Sequence, residues 1–212
     1  MISVTVSDLM DSYTACMRIA DIANRRKTSG IPDSICIRND SFAEGPLIAM
    51  TELVNGLWDG GIVIESEDAA NISKAALRIM GRKPIIVGAN ARNLEQFIMT
   101  AKLLDCVLCI SSENEEELFD LVRVAETSGI KDIVLDPMMR NMKQCLEVCT
   151  DLQRLSESVP EARHTVAVRT WSGEYAMTMA TVSLLIGDAV VITDDLDMDS
   201  CETLGALISS IK

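Results

Sequence analysis

Aromatic side chains are scarce: two Trp, two Tyr and three Phe make up 3% of the 212 residues. A flat cofactor held by this chain alone needs aromatic or large apolar walls, and only Trp58 and Trp171 offer indoles. Histidine is nearly absent. The single one, His164, precedes a strand-like run, where it is poorly placed to serve as the base of a Ser-His-Asp or Cys-His site. No apolar run reaches the roughly 18 residues of a membrane span. The start, Met1-Ile2-Ser3-Val4-Thr5-Val6, lacks the basic region of an export signal, which points to the cytoplasm. Basic residues are also few, 19 against 32 acidic ones, for a net charge of -13. Such a surface repels nucleic-acid phosphates and anionic lipid, leaving solubility or a basic protein partner as its use.

Seven cysteines are present, at positions 16, 36, 106, 109, 145, 149 and 201. Without an export signal they read as reduced thiols, and an odd count does not suit a simple disulfide framework. Cys106 and Cys109 are three apart in a strand-like run and so point to opposite faces. Cys145 and Cys149 share one face of a helix-like segment, and no second Cys or His pair has zinc-like spacing. The expectation is seven small, mostly buried thiols and no metal.

What is abundant is apolar sequence, 48% of the chain, arranged in a regular alternation. Eight short runs recur at Ser3–Ser7, Ser34–Arg38, Gly61–Glu65, Pro84–Gly88, Cys106–Ser111, Asp132–Asp136, Thr165–Arg169 and Ala189–Thr193. Most are nearly continuous in Ile, Val and Leu, the pattern of parallel strands buried on both faces. Each is followed by a helix signal. Ser112 and Glu115 suggest a capping box before Leu118, Leu121, Val122 and Ala125, with Gly129 as the stop. Asn93 with Gln96, and Asp199 with Glu202, suggest two further helix starts, and Pro46 fits a first helical turn.

Eight strand–helix units fit either a closed barrel or a doubly wound open sheet. The open sheet usually carries a glycine-rich first turn, and here that turn is Ser7-Asp8-Leu9-Met10. Count and even spacing predict an α/β chain forming a single (β/α)8 barrel over residues 1–212, without linker or second domain.

Barrel chemistry sits where strands end. Those positions hold Asp8, Asn39, Asp40, Glu65, Asn90, Ser111, Ser112, Asp136, Arg169, Trp171, Asp194 and Asp195. From this polar rim Asp8, Asp40, Asn90, Asp136, Arg169, Asp194 and Asp195 are taken as ligand-binding candidates, with no catalytic residue assigned. A strand-end Asp or Asn also caps the next helix, so each has a structural alternative. Asp194-Asp195-Leu196-Asp197 offers carboxylates to a hard cation or an acid–base pair, and Arg169-Thr170-Trp171-Ser172-Gly173 offers a weak anion cradle. Met138, Met139 and Met142 after the sixth run suit either helix packing or an adaptable contact surface.

Four segments carry a family resemblance: Val6-Ser7-Asp8-Leu9-Met10-Asp11, the glycine-led Gly81–Ala89, Ser128–Pro137 with its ending Leu135-Asp136-Pro137, and Gly187–Asp197. They resemble the large subunit of the corrinoid iron–sulfur protein, the gamma subunit of acetyl-CoA decarbonylase/synthase. The resemblance runs in register along the whole chain. It implies a barrel within an anaerobic one-carbon methyl carrier. That carrier receives a methyl group from a tetrahydropterin through a methyltransferase, holds it on cobalt and delivers it to acetyl-CoA synthase. It also implies pairing with a small subunit that is itself a barrel.

The family's large subunit adds a four-cysteine iron–sulfur segment and a corrinoid-binding domain. The cysteines here lack the spacing of such a segment, so both are expected outside residues 1–212. After Asp136-Pro137 the family usually continues with glycine and a small polar residue, where this chain has Met138-Met139.

Three expectations follow. The first is a barrel subunit or scaffold of corrinoid-dependent methyl transfer, partnered by a second barrel or a corrinoid protein. The second is a stand-alone pterin-dependent methyltransferase in which Asp40, Asn90 and Asp136 meet the donor and acceptor edge of the pterin. The third is a non-catalytic barrel with an oligomerisation or regulatory role. A corrinoid or tetrahydropterin is reached, in these readings, through a partner or through the barrel mouth.

Overall fold

The computed structural model describes residues 1–170 and 176–211. The expected units are all present. Strands β1 (Ile2–Ser7), β2 (Ser34–Arg38), β3 (Gly61–Glu65), β4 (Ile85–Ala89), β5 (Val107–Ser111), β6 (Ile133–Asp136), β7 (Thr165–Thr170) and β8 (Ala189–Thr193) alternate with eight helices. These are α1 (Ser12–Ser29), α2 (Glu44–Leu57), α3 (Ala69–Arg78), α4 (Leu94–Leu104), α5 (Glu115–Thr127), α6 (Met142–Leu155), α7 (Ala176–Ile186) and α8 (Met198–Ile211). Each strand pairs in parallel with the next, and β8 pairs with β1, closing a (β/α)8 barrel. Among the described residues no helix is long and apolar enough to cross a membrane.

The strand alternation divides the core in two. Outward residues such as Val4, Ile37, Ile64, Ile86, Leu108 and Leu135 pack under Ile19, Leu47, Ile72, Phe97 and Val122 of the helical ring. Each such fully buried side chain contributes about 1.5–3 kcal/mol of transfer free energy. Inward residues form a separate, small-volume plug that includes Cys36, Val63, Val87, Cys109, Val134 and Ala167. The register carries the same inward series to the strand ends, pairing Arg38 with Glu65 and Ser111 with Asp136. The inside of the barrel therefore changes from apolar to charged within two residues of its mouth.

Gly88 and Gly205 permit close approaches. Gly88 sits at a bulge between β4 and β5 with φ 127°, and a Cβ there would lie 2.0 Å from the Ser66 carbonyl oxygen. A Cβ on Gly205 would lie 2.3 Å from the Ser29 carbonyl oxygen, so its absence lets α8 close against α1.

Two expected helix starts shift, and a third keeps its place without a side-chain cap bond. Asn114, not Ser112, caps α5 by accepting from Glu117 N at 2.9 Å. Ser112 instead accepts from Asn114 N and donates to Glu117 at 2.6 Å. Asp197, not Asp199, accepts from Ser200 N at the start of α8, at 2.7 Å. Asn93 precedes α4 without a side-chain cap bond, because its amide bridges Asn90 N to the carbonyls of Glu67 and Gly88. In the first two places a second cap-competent residue lies two positions away and has the better geometry. All seven thiols are free, with Cys106 in the outer core layer and Cys109 in the inner one, as their spacing predicts.

Candidate functional site

The mouth at the C-terminal strand ends is built on two buried aspartates. Asp8, just after β1, accepts from Ser41 N at 2.9 Å, Ser41 Oγ at 2.6 Å and Asn39 Nδ2 at 2.7 Å. Asn39 Oδ1 then accepts from Ser66 Oγ and from Asn71 Nδ2 of α3. Asp8 thus ties the loops after β1, β2 and β3 into one polar network, and both its oxygens are engaged.

Asp136, the last residue of β6, is 2% exposed. It accepts from Ser111 Oγ at 3.0 Å, Met138 N at 3.0 Å and Arg169 Nε at 3.0 Å. Arg169 also donates through Nη1 to Glu65 across the barrel. Burial acts to lower the Arg169 pKa, but the Asp136 and Glu65 carboxylates outweigh it and raise it above the ordinary guanidinium value. Arg38 repeats the motif at the rim, donating to Asp40 and to Asp194 at 2.8 Å each. Its pKa is also raised, because those two carboxylates overcome its partial burial. Beneath this charged layer lie two thiols, Cys36 and Cys109, both pushed well above the usual range, by burial first and then by Glu65 and Asp136 respectively.

Above the floor opens a cavity of about 590 Å³. Arg38, Asp40, Glu65, Asn90 and Arg169 line its polar part. Phe42, from the loop after β2, and Met138, from the loop after β6, line it with apolar side chains that are 86% and 43% exposed. Asn90 contributes its edge, but its Oδ1 accepts from Arg92 N and its Nδ2 donates to Gly88 O in a local turn.

The seven sequence candidates therefore separate. Asp40, Asn90 and Arg169 line the cavity. Asp136 and Asp194 hold the arginines of its floor and rim. Asp8 holds neighbouring loops together, and Asp195 turns to α1, pairing with Arg18 at 3.0 Å and Arg25 at 2.9 Å. Asp194, Asp195 and Asp197 face different partners, and no group of three metal-ligating side chains converges among the described residues. Of the anion-cradle loop, Trp171, Ser172 and Gly173 lie outside the described residues. Trp58 is buried at the opposite pole, its indole donating to Gly61 O and lying under Arg26. His164 is at that pole as well, 3.0 Å from Glu126.

Arg38 and Phe42 were not among the candidates. Arg38 is legible as the inward residue ending β2, whereas Phe42 carries no periodic signal. Asp40 and Asn90 face the cavity, whereas Asp136 lies beneath it, accepting from Ser111, Met138 N and Arg169.

The fold and site define a closed parallel (β/α)8 barrel with an ion-paired floor and an open, partly apolar mouth. Residues 1–158 match the family of CO dehydrogenase/acetyl-CoA synthase delta subunits, and the chain belongs to that family. It is 28% identical over 123 residues to the corrinoid/iron–sulfur protein large subunit of Moorella thermoacetica, covering 58% of this chain and 28% of that protein. It is 32% identical over 107 residues to the acetyl-CoA decarbonylase/synthase complex subunit gamma of Methanocaldococcus jannaschii, covering 50% of this chain and 22% of that one. The match thus spans about a quarter of these relatives. Among solved structures, the dihydropteroate synthase of Coxiella burnetii in complex with pteroic acid superposes with TM-score 0.74 at 12% identity, over 100% of this chain and 93% of that one. The Vibrio fischeri dihydropteroate synthase gives 0.72 at 12% identity, over 99% and 92%. At that identity the likeness is one of fold.

Proposed function

We propose that residues 1–212 act as a barrel subunit in corrinoid-dependent methyl transfer of the acetyl-CoA pathway, in the cytoplasm, with the barrel mouth facing a corrinoid-carrying protein partner. The family membership and the names of the two relatives support the pathway. One observation supports a docking role over a catalytic one: the two arginines and four carboxylates of the floor and rim are committed to each other. Arg169 lies between Asp136 and Glu65, and Arg38 between Asp40 and Asp194. A general base or nucleophile needs an activating partner and an open face toward substrate, and no such pair stands among these residues. Turned outward over them are the apolar Phe42 and Met138, with the exposed Glu67 and Arg140 beside them.

The test is isothermal titration of the purified protein with a methylcobalamin-loaded corrinoid iron–sulfur protein and, separately, with methyltetrahydropterin. Saturable association with the corrinoid protein and no heat from the pterin is the expected result. Binding of the pterin alone would replace this reading with a stand-alone methyltransferase; binding of neither would leave an oligomerising or regulatory barrel.

A further inference from the structure

Among the described residues, four non-glycine residues have positive φ: Phe42, Lys83, Asp105 and Met138. Asp105 caps α4 in the left-handed conformation, and Lys83 precedes Pro84 at the same pole. Phe42 (φ 55°) and Met138 (φ 51°) stand at the mouth, apolar, exposed and lining one cavity. A left-handed backbone is costly for such side chains and persists only where the surroundings impose it.

Those surroundings are the two buried aspartates. Asp8 fixes Ser41 through both its backbone N–H and its hydroxyl, directly before Phe42. Asp136 accepts from Met138 N itself. Each carboxylate spends hydrogen bonds on pointing an oily side chain into water over the cavity. Between the two, the floor holds Arg38 and Arg169 against Asp40, Glu65, Asp136 and Asp194. With Glu67 and Arg140, which also line the cavity, carboxylates outnumber guanidiniums five to three among the described residues.

We propose that Phe42 and Met138 are the two sides of an apolar clamp for a protein segment that lowers an Arg or Lys side chain, flanked by apolar residues, onto this floor. Asp8 and Asp136 are then positioning residues. A cation answers the excess negative charge, and the flanking apolar groups cover Phe42 and Met138. The inference rests on reading the mouth as a protein-docking face.

The experiment is selection of a random heptapeptide phage library on the wild-type protein, followed by measurement of the enriched peptides against a Phe42→Gly/Met138→Gly double variant. The expected peptides carry Arg or Lys between apolar residues and lose affinity in high salt. The double variant binds them at least about tenfold more weakly, a loss of roughly 1.4 kcal/mol. Its Tm stays equal or rises, since glycine adopts both backbone conformations without strain. No enrichment, enrichment of neutral or acidic peptides, or equal binding by the double variant overturns the clamp. Association with the corrinoid protein is titrated separately. It survives a failure of the clamp alone, and its loss beside intact peptide selection removes the corrinoid partner rather than the clamp.

Discussion

Arg169 on β7 donates from Nε to Asp136 on β6 at 3.0 Å, while the same guanidinium reaches Glu65 on β3. One side chain therefore compensates two carboxylates inside the barrel, each less than a fifth exposed. Arg169→Met should cost about 3–5 kcal/mol, because it leaves the buried Asp136 and half-buried Glu65 carboxylates without their cation. The triple variant Arg169→Met/Glu65→Gln/Asp136→Asn should recover most of that loss. Urea unfolding measures both, and a single variant within about 1 kcal/mol of wild type would show that the cluster is not the keystone of the mouth.

Asp8 and Asp195 are both strand-end aspartates, yet their environments differ. Asp8→Ala removes the acceptor for three buried or half-buried donors and should cost about 2–4 kcal/mol. Asp195→Ala removes ion pairs from a carboxylate that is 48% exposed and should cost no more than about 1 kcal/mol. Equal midpoints for the two variants in denaturant would refute this ranking.

Gly88→Ala should destabilise by more than about 2 kcal/mol, since the added Cβ meets the Ser66 carbonyl at 2.0 Å in a backbone that disfavours alanine. Gly56→Ala, near the end of α2 with nothing within 4 Å of the new Cβ, should instead stabilise by about 0.5–1 kcal/mol. Thermal melts of the pair give opposite signs if the bulge geometry is right.

Burial, reinforced by Asp105, pushes the Cys106 thiol up to about 11 from an ordinary 9.0. Burial also pushes Cys201 up to about 11. The folded state thus holds these protons more tightly than the unfolded one. Their stabilisation is complete below pH about 9 and is lost progressively as pH rises toward about 11. Urea midpoints under reducing conditions should fall across that window, and Cys106→Ala should shallow the fall. A midpoint that rises with pH there would reverse the sign.

The barrel was legible because parallel strands buried on both faces spell themselves as continuous Ile and Val runs, and all eight appear within one residue of the expected bounds. Helix starts were less so, since Ser112 and Asn114, or Asp197 and Asp199, offer two caps a short step apart. Within the site, Asp136, Arg169 and Asp194 followed from strand ends. Their pairing did not, because it depends on which residues face inward after the barrel closes. Phe42 could not be found from pattern at all: a lone loop aromatic has no period. Met138 left one trace, standing where the resembled family has glycine, the residue that best tolerates its φ of 51°.

The most direct test of the mouth as the docking face is hydrogen–deuterium exchange of the protein alone and with the methylated corrinoid protein. The account predicts new protection in residues 39–43 and 137–141, the two loops that carry Phe42 and Met138. Protection confined to the helical ring or to the opposite pole, where His164 and Trp58 lie, would contradict it.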